Sequence, residues 1–215
     1  MRALVLLVIV SACAGTPKRH FDVLSSAPAE YPGTLRDPKT IAANFFVRQT
    51  LTVHTTDKQG KPVEAELEAV LQKQGDTLQV VGFGPMSVKA FTLVHKGDRI
   101  VFDQFYGPQM PFSPRNIVVD IHRVFFMRLP PPTDPKFTGV NKGELDGEHV
   151  EETWKDGQLR ATTFTRPGDP KLKGAIRIQL SDGCDPQHCE PETAQLRNEW
   201  FGYTLSIANE AFERL

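Results

Sequence analysis

Histidine and cysteine are the side chains in this sequence best suited to acid–base, nucleophilic or metal chemistry. The six histidines are His20, His54, His95, His122, His149 and His188. The sequence contains no Gly-x-Ser-x-Gly elbow, Ser-x-x-Lys, His-Glu-x-x-His or glycine-rich phosphate loop. Asp120 and His122 are two residues apart, a spacing that points helical side chains to different faces and so predicts no catalytic dyad. We therefore predict surface or strand positions for the histidines, and a protein that is not an enzyme.

Cys13 has a different setting, because it follows a short apolar run at the start of the chain. Arg2 precedes the apolar residues 4–10, and the small residues Ser11 and Ala12 come directly before the cysteine. This order is typical of a secretory signal, and the run is far below the ~18 residues needed to span a bilayer. The letters VSAC match the bacterial lipobox, whose cysteine becomes the first mature residue and carries acyl chains. We predict a lipoprotein signal peptide over residues 1–12 and a covalent lipid on Cys13; an ordinary signal peptide with a chance cysteine is the alternative.

The other two cysteines, Cys184 and Cys189, lie close together in SDGCDPQHCEPET. In an exported chain, this spacing favours a disulfide that closes a small surface loop. The alternative is a metal site that uses His188, but two further ligands at suitable spacing are not evident in the sequence. We predict the disulfide, no metal site, and no cofactor apart from the lipid on Cys13.

Composition and charge limit the classes of partner and the number of domains. Loss of Arg2 with the signal peptide leaves 24 of the 25 basic residues against 26 acidic ones, a net charge of −2. No long basic block occurs, so the sequence predicts no nucleic-acid binding. Residues 13–44 are rich in proline, serine and charge without periodicity, which predicts a flexible linker after the lipidated cysteine. The remaining residues, 45–210, suit a single domain with a real core.

The apolar residues of this domain recur with a period of two, which indicates half-buried antiparallel strands. In KPVEAELEAVL, for example, valine, alanine and leucine alternate with three glutamates. We predict about nine strands: residues 49–56, 61–71, 76–83, 88–95, 99–105, 150–155, 158–166, 175–181 and 195–208. Short turns rich in glycine and aspartate separate the first five, which therefore form a meander.

The period changes once, in FSPRNIVVDIHRVFFMRL. Ser113 is placed as the N-cap and Pro114 as the first helical residue, which predicts a helix that the following LPPPTDP ends. The apolar stripe of this helix is Ile117, Val118, Ile121, Val124 and Phe125, and the opposite face carries Arg115, Asn116, Asp120, His122 and Arg123. Val119 and Phe126 add more apolar surface than a one-sided helix needs.

A sheet of nine strands should curl, and one helix cannot cover its whole apolar face. We therefore predict a mainly β (α+β) fold, in which a curled antiparallel sheet with a helical plug leaves an apolar cavity suited to lipid. The predicted cavity lining is Leu67, Phe91, Leu93, Phe102, Ile121 and Phe125. The same cavity could instead be filled by these side chains themselves.

Residues 45–128, and the final strand AQLRNEWFGYTLSIA, resemble the LolA/LolB-like superfamily of bacterial envelope lipoprotein handlers. The closest likeness is to an outer-membrane lipoprotein family related to LolB. The resemblance implies an incomplete antiparallel β-barrel with a helical plug, which is open to a cavity that receives acyl chains. It also implies an exposed apolar side chain just after a proline, in the loop between the third and fourth predicted strands, for insertion into the membrane.

In this chain that loop is GFGPMSV, so Pro85 and Met86 occupy the matching places, with Phe83 beside them. An exposed methionine among glycines and a proline would form an apolar tip able to enter lipid headgroups. Alternatively, Phe83 and Met86 fold under the turn. Methionine replaces the usual leucine of the family.

These observations together predict a lipoprotein anchored in the outer membrane and facing the periplasm. Its expected role is to bind the acyl chains of a lipoprotein or lipid and to aid their transfer or insertion in the envelope. The expected partners are the outer membrane, the acylated cargo and a periplasmic LolA-like carrier. The alternative is a non-enzymatic scaffold or interaction lipoprotein with a closed core.

Overall fold

The computed structural model describes residues 19–24, 31–57, 59–105, 113–166, 174–184 and 191–215. These residues form twelve strands, one α-helix and two short 3-10 turns, at Pro38–Thr40 and Pro85–Ser87. In chain order the longer elements are β1 (Arg19–Leu24), β2 (Phe45–Thr56), β3 (Pro62–Gln74), β4 (Thr77–Phe83), β5 (Lys89–Lys96), β6 (Arg99–Gln104), α1 (Pro114–Phe125), β7 (Gly139–Leu145), β8 (Glu148–Lys155), β9 (Gln158–Thr165), β10 (Ile176–Cys184), β11 (Thr193–Asn198) and β12 (Tyr203–Arg214).

All twelve strands belong to one antiparallel sheet with the order β1-β6-β5-β4-β3-β2-β12-β11-β10-β9-β8-β7. Two meanders, β2 to β6 and β7 to β12, meet where the last strand pairs with β2. The sheet is not closed, because β1 and β7 are its two edges. The predicted fold class, a mainly β protein with an open antiparallel sheet and one helix, is confirmed.

The period-two pattern explains which face of each strand is buried. In β2 and β3, for example, Leu51 lies opposite Leu67 and Val47 opposite Leu71, on the face that contacts α1. We call this the inner face of the sheet. The glutamates of β3 point to the other, outer face, as expected for strict alternation.

The strand count differs from the prediction in three places. Strand β7 begins at Gly139, before the predicted resumption of strands, and the predicted strand 195–208 is two strands joined by a turn at 199–202. Part of the predicted linker is also ordered: residues 19–24 form β1, which pairs along its whole length with β6. Tyr31, later in the same segment, is 2% exposed. Six residues at a sheet edge need no long periodic pattern, because β6 supplies their hydrogen bonds.

The helix begins and ends with the caps that its sequence provides. The Ser113 hydroxyl accepts a hydrogen bond from the Arg115 N–H at 3.3 Å, and Pro114 is the first helical residue. At the other end, the Arg128 guanidinium donates to the carbonyls of Arg123, Val124 and Met127. These carbonyls have no partner inside the helix, so Arg128 acts as its C-terminal cap.

The core consists of two hydrophobic clusters on the inner face, and α1 contributes to both. One cluster lies on β2 to β6 and includes Val118, and the other lies on β8 to β12 and includes Val119 and Val124. The helix therefore joins the two meanders. Of the helices in the described ranges, none has both the length and the apolar character required to cross a membrane.

Candidate functional site

Helix α1 is buried on the face that its sequence predicts to be polar, and Val118 and Val124 of the predicted apolar stripe are buried as well. Four of its five predicted polar-face residues are less than 8% exposed, and the fifth, Asn116, is 8% exposed. The apolar residues Ile117, Ile121 and Phe125 are only half-buried. The prediction that His122 lies at the surface or in a strand is therefore wrong, because its face of the helix is covered by the segment that begins at Tyr31 and by the sheet. The helix consequently turns a partly accessible apolar ridge toward strands β2 to β6.

The six residues predicted to line a cavity come together in the cluster on these strands. Leu93 and Phe102 belong to its fully buried core, whereas the other four, Leu67, Phe91, Ile121 and Phe125, are partly buried against it. Phe91 and Phe102 are in ring contact, with centroids 5.5 Å apart. The sequence thus predicts which residues meet, but two of them are inaccessible in this structure.

The inner face stays uncovered beyond these residues, at the end where β2 leads into β3. Along β3, burial falls from Ala69, which is completely buried, through half-buried Leu67 to exposed Ala65 and Val63. Their partners on β2, Val53 and Thr55, are half-buried. An apolar floor therefore runs from the helix ridge to solvent.

The loop from residue 84 to residue 88 lies beside this floor, because β4 ends opposite Glu68 of β3. The Met86 side chain is 93% exposed, Pro85 is exposed, and Val88 is 48% exposed. Met86 and Ser87 both have positive φ, 58° and 55°, a backbone region that residues other than glycine rarely adopt. Phe83 is half-buried and is paired in register with Glu68, on the outer face.

A buried polar network holds the other side of the helix. Arg123 is completely buried, and its guanidinium donates to Asp120 Oδ1 at 3.0 Å and to both Glu148 oxygens at 2.9 and 3.1 Å. The hydroxyls of Tyr31 and Tyr203 donate to the two oxygens of Asp120. These partners come from β8, β12 and the segment before β2, so Arg123 and Asp120 together tie the helix to distant parts of the chain.

The same arginine fixes the chain at residues 31–33. Arg123 donates to the Pro32 carbonyl at 2.7 Å, and Arg115 donates to the Gly33 carbonyl at 2.8 Å. Gly33 has φ +104°, and a Cβ there would lie 2.7 Å from Arg123 Nη2 and 2.8 Å from Val119 Cγ1. Only glycine allows this approach without displacing the network.

Burial and the nearby carboxylates set the protonation states in this network. Burial lowers the pKa of Arg123, but the neighbouring Tyr31, Asp120 and Glu148 outweigh it and hold that pKa above its usual value. Burial, followed by the Asp120 charge, raises the pKa of both Tyr31 and Tyr203 far above the usual tyrosine value. Both hydroxyls therefore stay protonated and remain donors to Asp120.

A second buried polar pair, His95 and His122, lies between β5 and the helix. Both side chains are fully buried, and their ring centroids are 5.7 Å apart. Within the described parts of the chain, neither ring nitrogen of His122 has a hydrogen-bond partner, whereas His95 interacts with the backbone of Gly97. Burial is the main cause that lowers the pKa of His122 to about 3, followed by the repulsion that a protonated His122 would meet from protonated His95 and from Arg36. Burial also lowers the pKa of His95. The rings therefore stay neutral at physiological pH.

Two cavities lie away from the predicted lining. One, of about 470 Å³, crosses β2, β12, β11 and β10 and is lined mainly by hydroxyl and amide side chains such as Thr52, Ser206 and Gln195. The other, of about 630 Å³, lies beside the turn between β5 and β6, among Asp76, Lys96 and Arg99. None of the six predicted lining residues borders either cavity.

The remaining sequence predictions concern cysteines and metals. Cys184 is buried at the end of β10, whereas Cys189 and Cys13 lie outside the described residues, so the disulfide and the lipid stay predictions. Among the residues that the structure describes, no three His, Cys, Asp or Glu side chains come together as a metal-binding group.

Sequence reasoning missed the network around Arg123, although one signal pointed to it. Val119 and Phe126 carry apolar surface around to the polar face, a pattern expected of a helix that is enclosed on more than one side. The partners of Arg123 lie up to 92 residues away in the chain, so their identity could not follow from local spacing.

The solved structures that are similar to this chain include the following three. A domain from Vibrio parahaemolyticus, described provisionally as an outer membrane lipoprotein-sorting protein, is 9% identical, with 80% of this chain and 85% of that chain covered and a TM-score of 0.45. A LolA superfamily protein from Nitrosomonas europaea is 12% identical, with 80% and 86% covered and a TM-score of 0.43. A DUF1329 family protein from Desulfovibrio piger is 10% identical, with 83% and 94% covered and a TM-score of 0.41.

The second of these structures is named for the superfamily that the sequence resembles. No curated protein is similar to the chain in sequence. The profile of one family matches residues 47–211, which include every strand from β3 to β11, the helix, and most of β2 and β12. The chain therefore belongs to DUF3261, a family described as proteins of unknown function.

Proposed function

We propose that this protein binds the acyl chains of a lipoprotein or lipid on the inner face of its sheet and passes them on within the bacterial envelope. Binding and transfer, with no chemical step, would be its whole activity. Each methylene removed from water contributes about 0.8 kcal/mol, so an acyl chain would move from a carrier that covers it less to one that covers it more.

The observation that carries this proposal is an apolar row on α1 that stays partly accessible although the polar face of the helix is buried. A helix normally turns its most apolar residues to the core, yet here Arg123 is enclosed while Ile117, Ile121 and Phe125 remain partly accessible. These three residues are spaced by four and form one ridge, and they pack against the same buried cluster as the half-buried Leu67 and Phe91. An acyl chain laid along this ridge would cover apolar surface that the protein leaves partly open.

The loop that carries Met86 fits the same role as a contact with the membrane or cargo. A methionine that is 93% exposed contributes nothing to the core, and its positive φ adds local strain. Both properties suit a side chain that enters lipid headgroups. We propose that Phe83, Pro85 and Met86 form the insertion loop.

The proposed location follows from the predicted processing of the N-terminal sequence. A lipid on Cys13 would anchor the protein in the outer membrane, facing the periplasm, where a LolA-like carrier would deliver the cargo. Ala14 follows the cysteine where aspartate would signal retention in the inner membrane of enteric bacteria.

A scaffold with a closed core is the second candidate, and one observation favours it. Leu93 and Phe102 are completely enclosed, and the two cavities described above lie elsewhere. In that case the ridge on α1 would pack only against the protein's own side chains, and the protein would take up no acyl chain.

Binding of a fluorescent fatty acid to the mature chain without its lipid distinguishes the two candidates. We expect saturable binding that Ile121→Asp weakens by at least about tenfold, because a carboxylate on the ridge would have to lose its water. Val140→Asp is the matched control, since Val140 is 49% exposed on the edge strand β7; it should bind like the unchanged protein. No saturable binding, or equal loss in both variants, would support the scaffold.

A further inference from the structure

Strand β3 has a free backbone edge along its first half. It pairs with β2 along all but its last residue, Pro62 to Lys73 opposite Thr56 to Phe45, but with β4 only from Glu68 to Gln74. In the described ranges, residues 62–67 have no strand on their second side, a stretch of six residues or about 20 Å. The loop after β4 does not fill this space with backbone hydrogen bonds, because the Gly84 N–H donates to the Val88 carbonyl within the loop at 2.8 Å.

The two faces of this free edge differ in chemistry. Val63, Ala65 and Leu67 lie on the inner face and continue the apolar floor, with exposed Met86 and Val88 in the adjacent loop. On the outer face the side chains are three glutamates, Glu64, Glu66 and Glu68, which are all exposed.

The charges around the outer face leave it acidic. His54, directly opposite on β2, lies 3.2 Å from one oxygen of Glu64. Glu66 and Glu68 face Thr52 and Thr50 instead, and the hydroxyl of Thr50 donates to a further glutamate, Glu210, at 2.6 Å. A second copy of the same edge would place like charges against like charges, which disfavours self-pairing.

We infer that residues 62–67 of β3 accept an extended segment of another protein as an added strand, with apolar side chains and lysine or arginine alternating along it. The unpaired backbone groups of the edge supply the hydrogen bonds of the new ladder. The apolar side chains of the segment contact Val63 and Ala65, and its basic side chains contact the glutamates. This interaction goes beyond the proposed function, because it requires no acyl chain.

The test uses the mature chain without its lipid and a capped heptapeptide that alternates valine and lysine. We expect the peptide to bind and to slow amide hydrogen exchange within residues 62–67. The backbone edge of β3 and that of the peptide would then form a ladder of hydrogen bonds. A valine–glutamate heptapeptide should bind at least about tenfold more weakly, and the double variant Glu64→Lys, Glu66→Lys should reverse this preference.

Three results would overturn the inference. The first is slower exchange elsewhere in the sheet, or nowhere. The second is equal binding of a valine–lysine peptide whose alternate backbone nitrogens are methylated, because charge alone would then account for the affinity. The third is equal binding of the basic and acidic peptides. The fatty-acid assay, run in parallel, reports on the acyl site separately, so failure of one proposal leaves the other measurable.

Discussion

Burial of His122 predicts a specific dependence of stability on pH. Its pKa is about 3 in the folded protein, against an ordinary value of 6.5. Because the folded pKa is the lower one, the unfolded chain binds a proton first as the pH falls. The stability that neutral His122 contributes is therefore complete above about pH 6.5 and is lost progressively toward pH 3. At pH 5 the loss from this one residue is about 2 kcal/mol.

The variant His122→Leu isolates this contribution. We expect its free energy of unfolding, from urea titrations at pH 7.5 and 5.0, to fall by about 2 kcal/mol less than that of the unchanged protein. Burial raises the pKa of Glu148 and Glu152, and their effect on stability has the opposite sign. Both glutamates are present in both proteins, so their contributions cancel in the difference.

His149→Leu is the matched control, because the His149 side chain is 48% exposed on β8. This variant should lose stability between the two pH values as the unchanged protein does. If His122→Leu and His149→Leu show the same pH dependence, His122 is not held neutral by burial, and our account of the covered helix face is wrong. If the unchanged protein instead gained stability relative to His122→Leu on going from pH 7.5 to pH 5.0, the predicted direction of the pH dependence would be wrong.

Three further predictions concern the network and the exposed loop. Arg123→Met should lower the free energy of unfolding by about 3–5 kcal/mol, because two buried carboxylates lose their counter-ion. The control Arg197→Met, at an exposed arginine, should change it by less than about 0.5 kcal/mol. Similar small losses in both variants would refute a stabilising role for the network. Gly33→Ala should destabilise the protein by about 1–3 kcal/mol more than Gly60→Ala, since both glycines have positive φ but only the first Cβ would contact Arg123; thermal denaturation would show equal losses if that close approach does not matter. Met86→Glu should leave acyl binding and stability unchanged but impair delivery to membrane vesicles, whereas Met86→Leu should deliver normally; equal loss of binding and delivery would argue against a tip.

The strands and the helix follow from the sequence because their signals are local. Alternation of apolar residues and glutamates identifies β3, and Ser113 with Pro114 identifies the start of α1. Strand β1 could not be predicted from the local sequence, because an edge strand needs only a partner strand to supply its hydrogen bonds. That partner is β6, which begins 75 residues after β1 ends.

The candidate site follows from the sequence only in part. The six apolar residues all belong to one cluster or pack against it, since the period of each strand determines which face they occupy, but their role as a cavity lining stays a prediction. The orientation of the helix does not follow, because Arg123 is stabilised by Glu148 and Tyr31, and no local pattern indicates that these residues will meet. The exposure of the Met86 side chain depends on how the loop folds. The sequence is compatible with either an exposed or a covered side chain at this position.

Native mass spectrometry would reveal whether the inner face of the sheet binds acyl chains. The protein would be a soluble form that begins after Cys13 and is produced in the periplasm, so that Cys184 and Cys189 can oxidise. We predict adducts of acyl-chain mass that are lost on denaturation and identified by extraction. A clean mass of the protein alone, with no uptake of added phospholipid or acylated peptide, would contradict acyl-chain binding and favour the closed scaffold.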